Sequence, residues 1–221
     1  MTTYTTVADS NGDFIVPFST EYSSGEKVTV TAEKDGAIKS IELFAPSEAT
    51  GGGVIQFSGN MIDFPWNIGN ITLEQGIGES IGNYAFYAAQ SHLSIFKRAT
   101  GLSINAEIKN IGRYAFFDWS NAAFLNLPPS IESVDERAFQ LWQALTSVSF
   151  PASLKTIGSF AFLSSSVLST VIFNSAQPPV CGASIFSGAD PNLKIYVPSQ
   201  SFEAYQSAEG LSEYASIMSG Y

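Results

Sequence analysis

Residues 134–156 read "VDERAFQLWQALTSVSFPASLKT", and residues 157–180 read "IGSFAFLSSSVLSTVIFNSAQPPV". Both stretches start with an aliphatic residue and three varied positions, followed by Ala-Phe. A gap, an alternating apolar run and then a proline or asparagine complete each unit. The opening anchor, [IV]-x-x-x-[AI]-F, occurs at Ile81-Gly-Asn-Tyr-Ala-Phe86, Ile111-Gly-Arg-Tyr-Ala-Phe116, Val134-Asp-Glu-Arg-Ala-Phe139 and Ile157-Gly-Ser-Phe-Ala-Phe162. Cys181-Gly-Ala-Ser-Ile-Phe186 is a degenerate copy. Start positions 81, 111, 134, 157 and 181 are separated by 30, 23, 23 and 24 residues. A period in this range signals a stacked repeat, and it overrides any element-by-element reading.

Later positions keep the register. Phe139 is followed by Leu145, Val148, Phe150, Pro151, Leu154 and Ile157. The same offsets from Phe116 give Ala122, Leu125, Leu127, Pro128, Ile131 and Val134, and from Phe162 they give Leu168, Val171 and Phe173. Val148 and Phe150 are two apart, so on a strand they face one side while Ser147 and Ser149 face the other. Stacking one such strand per unit builds a parallel sheet, with the Ala-Phe segment closing the coil on the far side as a short helical turn. No unit can bury its apolar edge alone; a stack buries a continuous column. Gly82, Gly112 and Gly158 fall where the chain turns tightly or packs closely.

This pattern resembles the BspA-type leucine-rich repeat, a 23-residue class common in bacterial surface proteins and in some protists. The resemblance covers roughly residues 65–198. It implies an α/β right-handed leucine-rich-repeat solenoid with one short strand and one short helical turn per unit. The ending "LKIYVPSQSFEAYQSAEGLSEYASIM" resembles the C-terminal cap of that family. The resemblance makes Leu193, Ile195 and Val197 the last strand, with Phe202, Tyr205, Leu211, Tyr214 and Ile217 sealing the core. The unit starting at Ile81 is seven residues too long, and the surplus falls in "FYAAQSHLSIFKRAT". Phe86, Ala89, Leu93 and Phe96 recur at about helical spacing there, which predicts a longer helix over 86–98 on the convex side.

The first 46 residues do not follow the repeat. "YTTVADSNGDFIVPF" predicts a hairpin around Asn11-Gly12, and "EKVTVTAEKDGAIKSIEL" another around Asp35-Gly36. The stretch "GEKVTVTAEKDG" resembles part of a bacterial immunoglobulin-like module. It covers about half of such a sandwich, which leaves three readings: an incomplete module, a capping β-element, or the stump of a longer protein. Gly51-Gly52-Gly53 after "PSEAT" predicts a linker. The expected division is a β-rich segment over 1–50, the solenoid over 51–198 and a helical cap over 199–221.

Composition narrows the function. Of 221 residues, 45% are hydrophobic and only 14% charged, with a net charge of −10. The pI is near 4.4 and the mean hydropathy +0.12. A nucleic-acid partner needs clustered cations, and Lys97-Arg98 is the densest basic pair. No run reaches the 18 or so apolar residues of a membrane span. "MTTYTTVADSNGDF" has no basic n-region or apolar h-region, so no Sec signal is expected. The chain then stays inside, leaves by another route, or has had a signal removed.

Residues capable of chemistry are few. His92 is the sole histidine, without a nucleophile elbow or placed acidic partner, and reads as solvated. Cys181 stands at an anchor position and reads as core filler. Asp9 to Asp13, "DSNGD", lacks the longer ligand series of a calcium loop. The glycines at 51–53 lack the Gly-Lys-Ser/Thr of a phosphate loop. Asp135 and Glu136 are adjacent in sequence and do not converge on one substrate. No catalytic residue, metal or cofactor is expected.

The outward strand positions form one ladder. In pairs along the coils they are Asn70 and Thr72, Gly101 and Ser103, Phe124 and Asn126, Ser147 and Ser149, Thr170 and Ile172, and Lys194 and Tyr196. The ladder is small, polar and almost uncharged, with Phe124, Ile172 and Tyr196 as isolated bulky points. A solvated sheet face accounts for it, and so does an extended contact surface. The candidate binding residues are Thr72, Ser103, Phe124, Asn126, Ser147, Ser149, Thr170, Ile172, Lys194 and Tyr196. The expected function is a non-enzymatic recognition or adhesion module for a protein or glycan, at a cell surface, outside the cell or on a virion. A phage-tail component and a structural spacer of a larger surface protein are the alternatives.

Overall fold

The computed structural model describes residues 13–17, 27–34, 37–44, 54–58, 68–73, 79–89 and 94–221, the first four of these spans as strand backbone. They are β1 (Asp13–Pro17), β2 (Lys27–Lys34), β3 (Ala37–Phe44) and β4 (Val54–Ser58). The solenoid and its C-terminal cap supply the rest: β5 (Gly69–Leu73), β6 (Ser80–Ile81), β7 (Ala99–Ile104), β8 (Asn110–Ile111), β9 (Phe124–Asn126) and β10 (Ser133–Val134). They continue as β11 (Ser147–Phe150), β12 (Thr156–Ile157), β13 (Thr170–Phe173), β14 (Val180–Cys181), β15 (Lys194–Val197) and β16 (Met218–Gly220).

The repeat is a stack of coils forming an α/β leucine-rich-repeat solenoid, rich in parallel strands and poor in helix. β11 pairs in parallel with β13, Val148 opposite Val171 and Phe150 opposite Phe173. Burial alternates as the spacing predicts: Ser147 and Ser149 are exposed while Val148 and Phe150 are buried. Each coil also carries a second strand, which the repeat reading did not contain. β6, β8, β10, β12 and β14 form a parallel sheet of their own, aligning Ile81, Ile111, Val134, Ile157 and Cys181. The anchor aliphatics thus rest on a ladder of backbone hydrogen bonds as well as in the core.

The closing segment is a succession of turns, tighter than the expected helical turn. In the coil of Ile111, the Ala115 amide donates to Gly112 O and the Phe117 amide to Tyr114 O. The alternate amides, those of Tyr114, Phe116 and Asp118, donate to Glu136, Ala138 and Gln140 one coil on. The fourth anchor residue is left-handed in every copy: φ is 59° at Tyr84, 55° at Tyr114, 58° at Arg137, 61° at Phe160 and 55° at Ser184. An α-helix cannot contain such residues; a type II turn requires one at its third position. The glycine at the second anchor position serves close approach. A Cβ on Gly158 would lie 2.3 Å from Glu136 N of the coil before.

The core is a set of aromatic columns. Phe86, Phe116, Phe139 and Phe162 stack at centroid spacings of 5.2, 5.5 and 5.1 Å. Beside them Phe96, Trp119 and Trp142 stack at 5.2 and 5.7 Å. Phe96 belongs to the long first coil, whose helix is smaller than expected. Residues 86, 88 and 89 are in turns, and a 3-10 helix spans Ser94–Arg98. The surplus residues therefore precede Phe96, and they deliver it to the position that tryptophan holds in the next two coils.

At the C-terminal end Leu193, Ile195 and Val197 are buried, as are Tyr205 and Leu211, while Phe202, Tyr214 and Ile217 pack half-buried against the core. Tyr205 lies in α1 (Phe202–Ser207). β16 then pairs in parallel with β15, adding a rung that the sequence reading lacked. At the other end β1 pairs antiparallel with β4, and β4 with β5, so that sheet reads β1-β4-β5-β7-β9. β2 and β3 form a separate antiparallel pair, with Lys34 opposite Ala37 across a two-residue connection. The Asn11-Gly12 hairpin and the glycine linker lie outside the described residues.

No rung joins β9 to β11, although the two strands are neighbours. Proline contributes to this break. Pro151 occupies the position of Asn174, whose amide donates to Phe150 O in the coil before, and it has no amide to offer.

Candidate functional site

The outward ladder comprises two rows. Gly101 lies opposite Phe124, and Ser147 continues through Thr170 to Lys194. Thr72 pairs with Ser103 and Ser103 with Asn126, and Ser149 continues through Ile172 and Tyr196 to Ser219. Asn126, Ser147, Ser149 and Lys194 are exposed, and Ser103, Thr170 and Ile172 are half-buried. Phe124 keeps 44% of its surface open and Tyr196 36%. Thr72 departs from the others: it is only 9% exposed, and its hydroxyl accepts a hydrogen bond from Asn70 Nδ2 at 3.2 Å. It lies at the foot of the face rather than on it.

Phe124 does not stand upright from its strand. Its Cε1, Cδ1 and Cζ lie 2.3 to 2.5 Å from where a Cβ on Gly101 would be, and Gly101 is buried beneath the ring. The missing side chain on β7 is what lets the ring lean across the neighbouring strand. Sequence spacing puts both residues in one row, but it does not show that one covers the other.

A polar chain runs along the C-terminal edge of the face. Tyr221 Oη lies 3.0 Å from Asn174 Oδ1 and donates to Phe173 O at 3.0 Å, and Asn174 Nδ2 donates to Ser149 Oγ at 3.0 Å. Neither Asn174 nor Tyr221 was among the candidate residues. Asn174 closes the strand of its unit where the preceding units have proline, and that difference was the available signal.

Charge is kept away from these rows, where Lys194 is the one ionic residue. The ion pairs lie elsewhere on the coils: Lys109–Glu79 at 2.9 Å, Lys155–Glu132 at 2.6 Å, Arg113–Glu136 at 3.4 Å, Arg137–Glu136 at 3.2 Å, and Lys97 with Asp118. On the turn side the left-handed positions build a column of their own. Tyr84 stacks on Tyr114 at 5.1 Å, and Arg137 lies over Tyr114 at 5.8 Å and over Phe160 at 4.7 Å. The sequence reading left these large side chains unassigned because it treated the segment as a helical turn.

The groups considered for chemistry do not form a reactive set. Glu136 is held by two arginines, while partial desolvation raises the Asp135 carboxyl above its ordinary value. Cys181 is 7% exposed, and burial pushes its thiol up to about 12. His92, residues 9–12 and the glycines at 51–53 lie outside the described residues. Among the described residues no group of three His, Cys, Asp or Glu side chains is placed to hold a metal ion, and no helix is long and apolar enough to cross a membrane.

The family model described as "BspA type Leucine rich repeat region" matches six copies over residues 79–208, more than half of the chain. The chain belongs to this family. No curated protein matches it. Among solved structures, the BspA-type chain is similar to a leucine-rich repeat protein of T. pallidum, at 20% identity and a TM-score of 0.45, over 65% of this chain and 68% of that one. It is similar to a leucine-rich repeat protein from Bacteroides ovatus at 18% identity and 0.43, over 70% of this chain and 42% of that one. It is also similar to the pneumococcal vaccine antigen PcpA at 17% identity and 0.41, over 75% of this chain and 44% of that one.

Proposed function

We propose that this BspA-type repeat protein is a non-enzymatic recognition module that binds a protein or glycan through the outward sheet face, displayed at a cell surface or on a virion. The observation that carries this reading is the ladder, with Lys194 as its one charge, on which Phe124 and Tyr196 remain open in a chain of net charge −10. Exposed aromatics on a rigid scaffold are the usual anchors of recognition surfaces. A stack of parallel strands holds them at fixed spacing at little entropic cost on binding. The test is attachment to host cells and immobilised matrix proteins by the wild type and a Phe124→Ala/Tyr196→Ala variant. Loss of attachment with an unchanged melting temperature supports the reading, and equal attachment removes the sheet face. Neighbouring genes for tail assembly or for surface export separate the two sites of display.

A further inference from the structure

We infer that the ligand of the sheet face is an uncharged glycan, with one pyranose ring stacked on Phe124 where Gly101 seats it. This rests on the sheet-face reading above. A sugar ring presents a plane of C–H bonds and a rim of hydroxyls. It is bound by an aromatic ring for the plane and by amide or hydroxyl side chains for the rim.

Both requirements meet at one place. The Phe124 ring leans over Gly101 and keeps 44% of its surface open. Asn126, on the same strand and the same side, and Ser147, at the start of the next strand of the face, are both exposed. Neither side chain is engaged in a hydrogen bond within the described residues. They offer one amide and one hydroxyl beside the ring.

Charge separates the glycan from other ligands. A charged partner is matched by opposite charges across its interface, but these rows hold Lys194 alone while the paired carboxylates and cations lie on other sides of the coils. A protein partner prefers a contiguous apolar centre with a polar rim; here Ile172 and Tyr196 are cross-strand neighbours, but Phe124 is set apart from them by Asn126, Ser147, Ser149 and Thr170. Phe124 and Tyr196 stand three strands apart, about 14 Å at roughly 4.8 Å per strand. That is the reach of an oligosaccharide rather than of a single sugar.

The experiment uses the full chain with neutral glucan, mannan, galactan and chitin oligosaccharides, against polygalacturonate and heparin as anionic controls, by calorimetry and affinity electrophoresis. The expected result is binding to at least one neutral glycan, little changed between 50 mM and 500 mM salt. Phe124→Ala weakens that binding at least tenfold. Gly101→Val, which keeps the phenylalanine but takes its seat, weakens it similarly. Tyr84→Ala, on the turn side, leaves it unchanged. Thermal melts exclude misfolding as the cause. Preference for the anionic polymers, or failure of every neutral glycan, overturns the glycan inference. If attachment to periodate-treated protein surfaces then still falls in the Phe124→Ala/Tyr196→Ala variant, the sheet-face reading stands without it. Neutral glycan binding that survives Phe124→Ala, Gly101→Val and Ser147→Lys overturns both.

Discussion

The indole of Trp119 lies 5.7 Å from that of Trp142 with their planes 3° apart, and each reaches back one coil with its ring nitrogen. Trp119 Nε1 donates to Phe86 O at 2.9 Å and Trp142 Nε1 to Phe116 O at 2.7 Å. The pair couples neighbouring coils by stacking and by hydrogen bonding at once. Trp142→Phe keeps an apolar ring but leaves Phe116 O without its donor. The expected cost is about 1–3 kcal/mol, read from urea denaturation.

One coil further the column ends at Ser165, which is fully buried and whose hydroxyl makes no hydrogen bond. An unpaired buried hydroxyl costs stability. Ser165→Ala is therefore expected to be neutral or to stabilise by up to about 1 kcal/mol. A loss of more than that would mean that Ser165 has a partner.

The phenylalanine column and the outward rows should differ sharply in sensitivity. Phe139 is wholly buried between Phe116 and Phe162, so Phe139→Ala is expected to cost about 3–5 kcal/mol. Ser147→Ala on the exposed row should stay within about 0.5 kcal/mol. Similar losses in both variants would place the strand register off by one residue.

The left-handed turn residues make a backbone test. Ser184 holds φ at 55°, a conformation that costs an ordinary residue roughly 1–2 kcal/mol relative to glycine's freedom there. Ser184→Gly should leave the melting temperature equal or higher. Ser184→Val should lower it, since a β-branched side chain fits that region worst.

Alkaline pH should weaken the C-terminal end first. Burial raises the Cys181 thiol from an ordinary 9.0 to about 12 and the Tyr214 hydroxyl from 10.0 to about 12, and raises Tyr205 as well. The folded state therefore holds these protons more tightly than the unfolded chain. Their contribution is complete below about pH 9 and is lost as pH rises towards 12. Denaturation midpoints should be flat from pH 6 to 8.5 and fall beyond that. Cys181→Val, which restores the aliphatic residue of the other anchors, should make the decline shallower.

The coil and its register were legible because two periodicities coincide: alternation within Ser147–Phe150 and recurrence of the same offsets every 23 residues. Neither signal depends on local detail. The second ladder and the turn chemistry were not legible, because an apolar pattern does not distinguish a helical turn from a series of β-turns. Glycine and asparagine usually mark left-handed positions, and here tyrosine, arginine and phenylalanine hold them. The outward rows could be assigned from alternation alone. The lean of Phe124 over Gly101 and the burial of Thr72 depend on side chains of adjacent strands. For the first fifty residues the described strands amount to a β2–β3 pair and to β1, which joins the solenoid sheet through β4.

The interrupted ladder between β9 and β11 has a mechanical consequence. In a stack of coils the rungs run along the long axis, so a pull from the two ends loads them in series, and the weakest junction carries the same tension as the strongest. At that junction the outward sheet contributes no rung, which leaves the load to the second ladder, the turn bonds and the tryptophan stack. A stretched molecule should therefore part first between the coils of Ile111 and Val134, in two halves of unequal length.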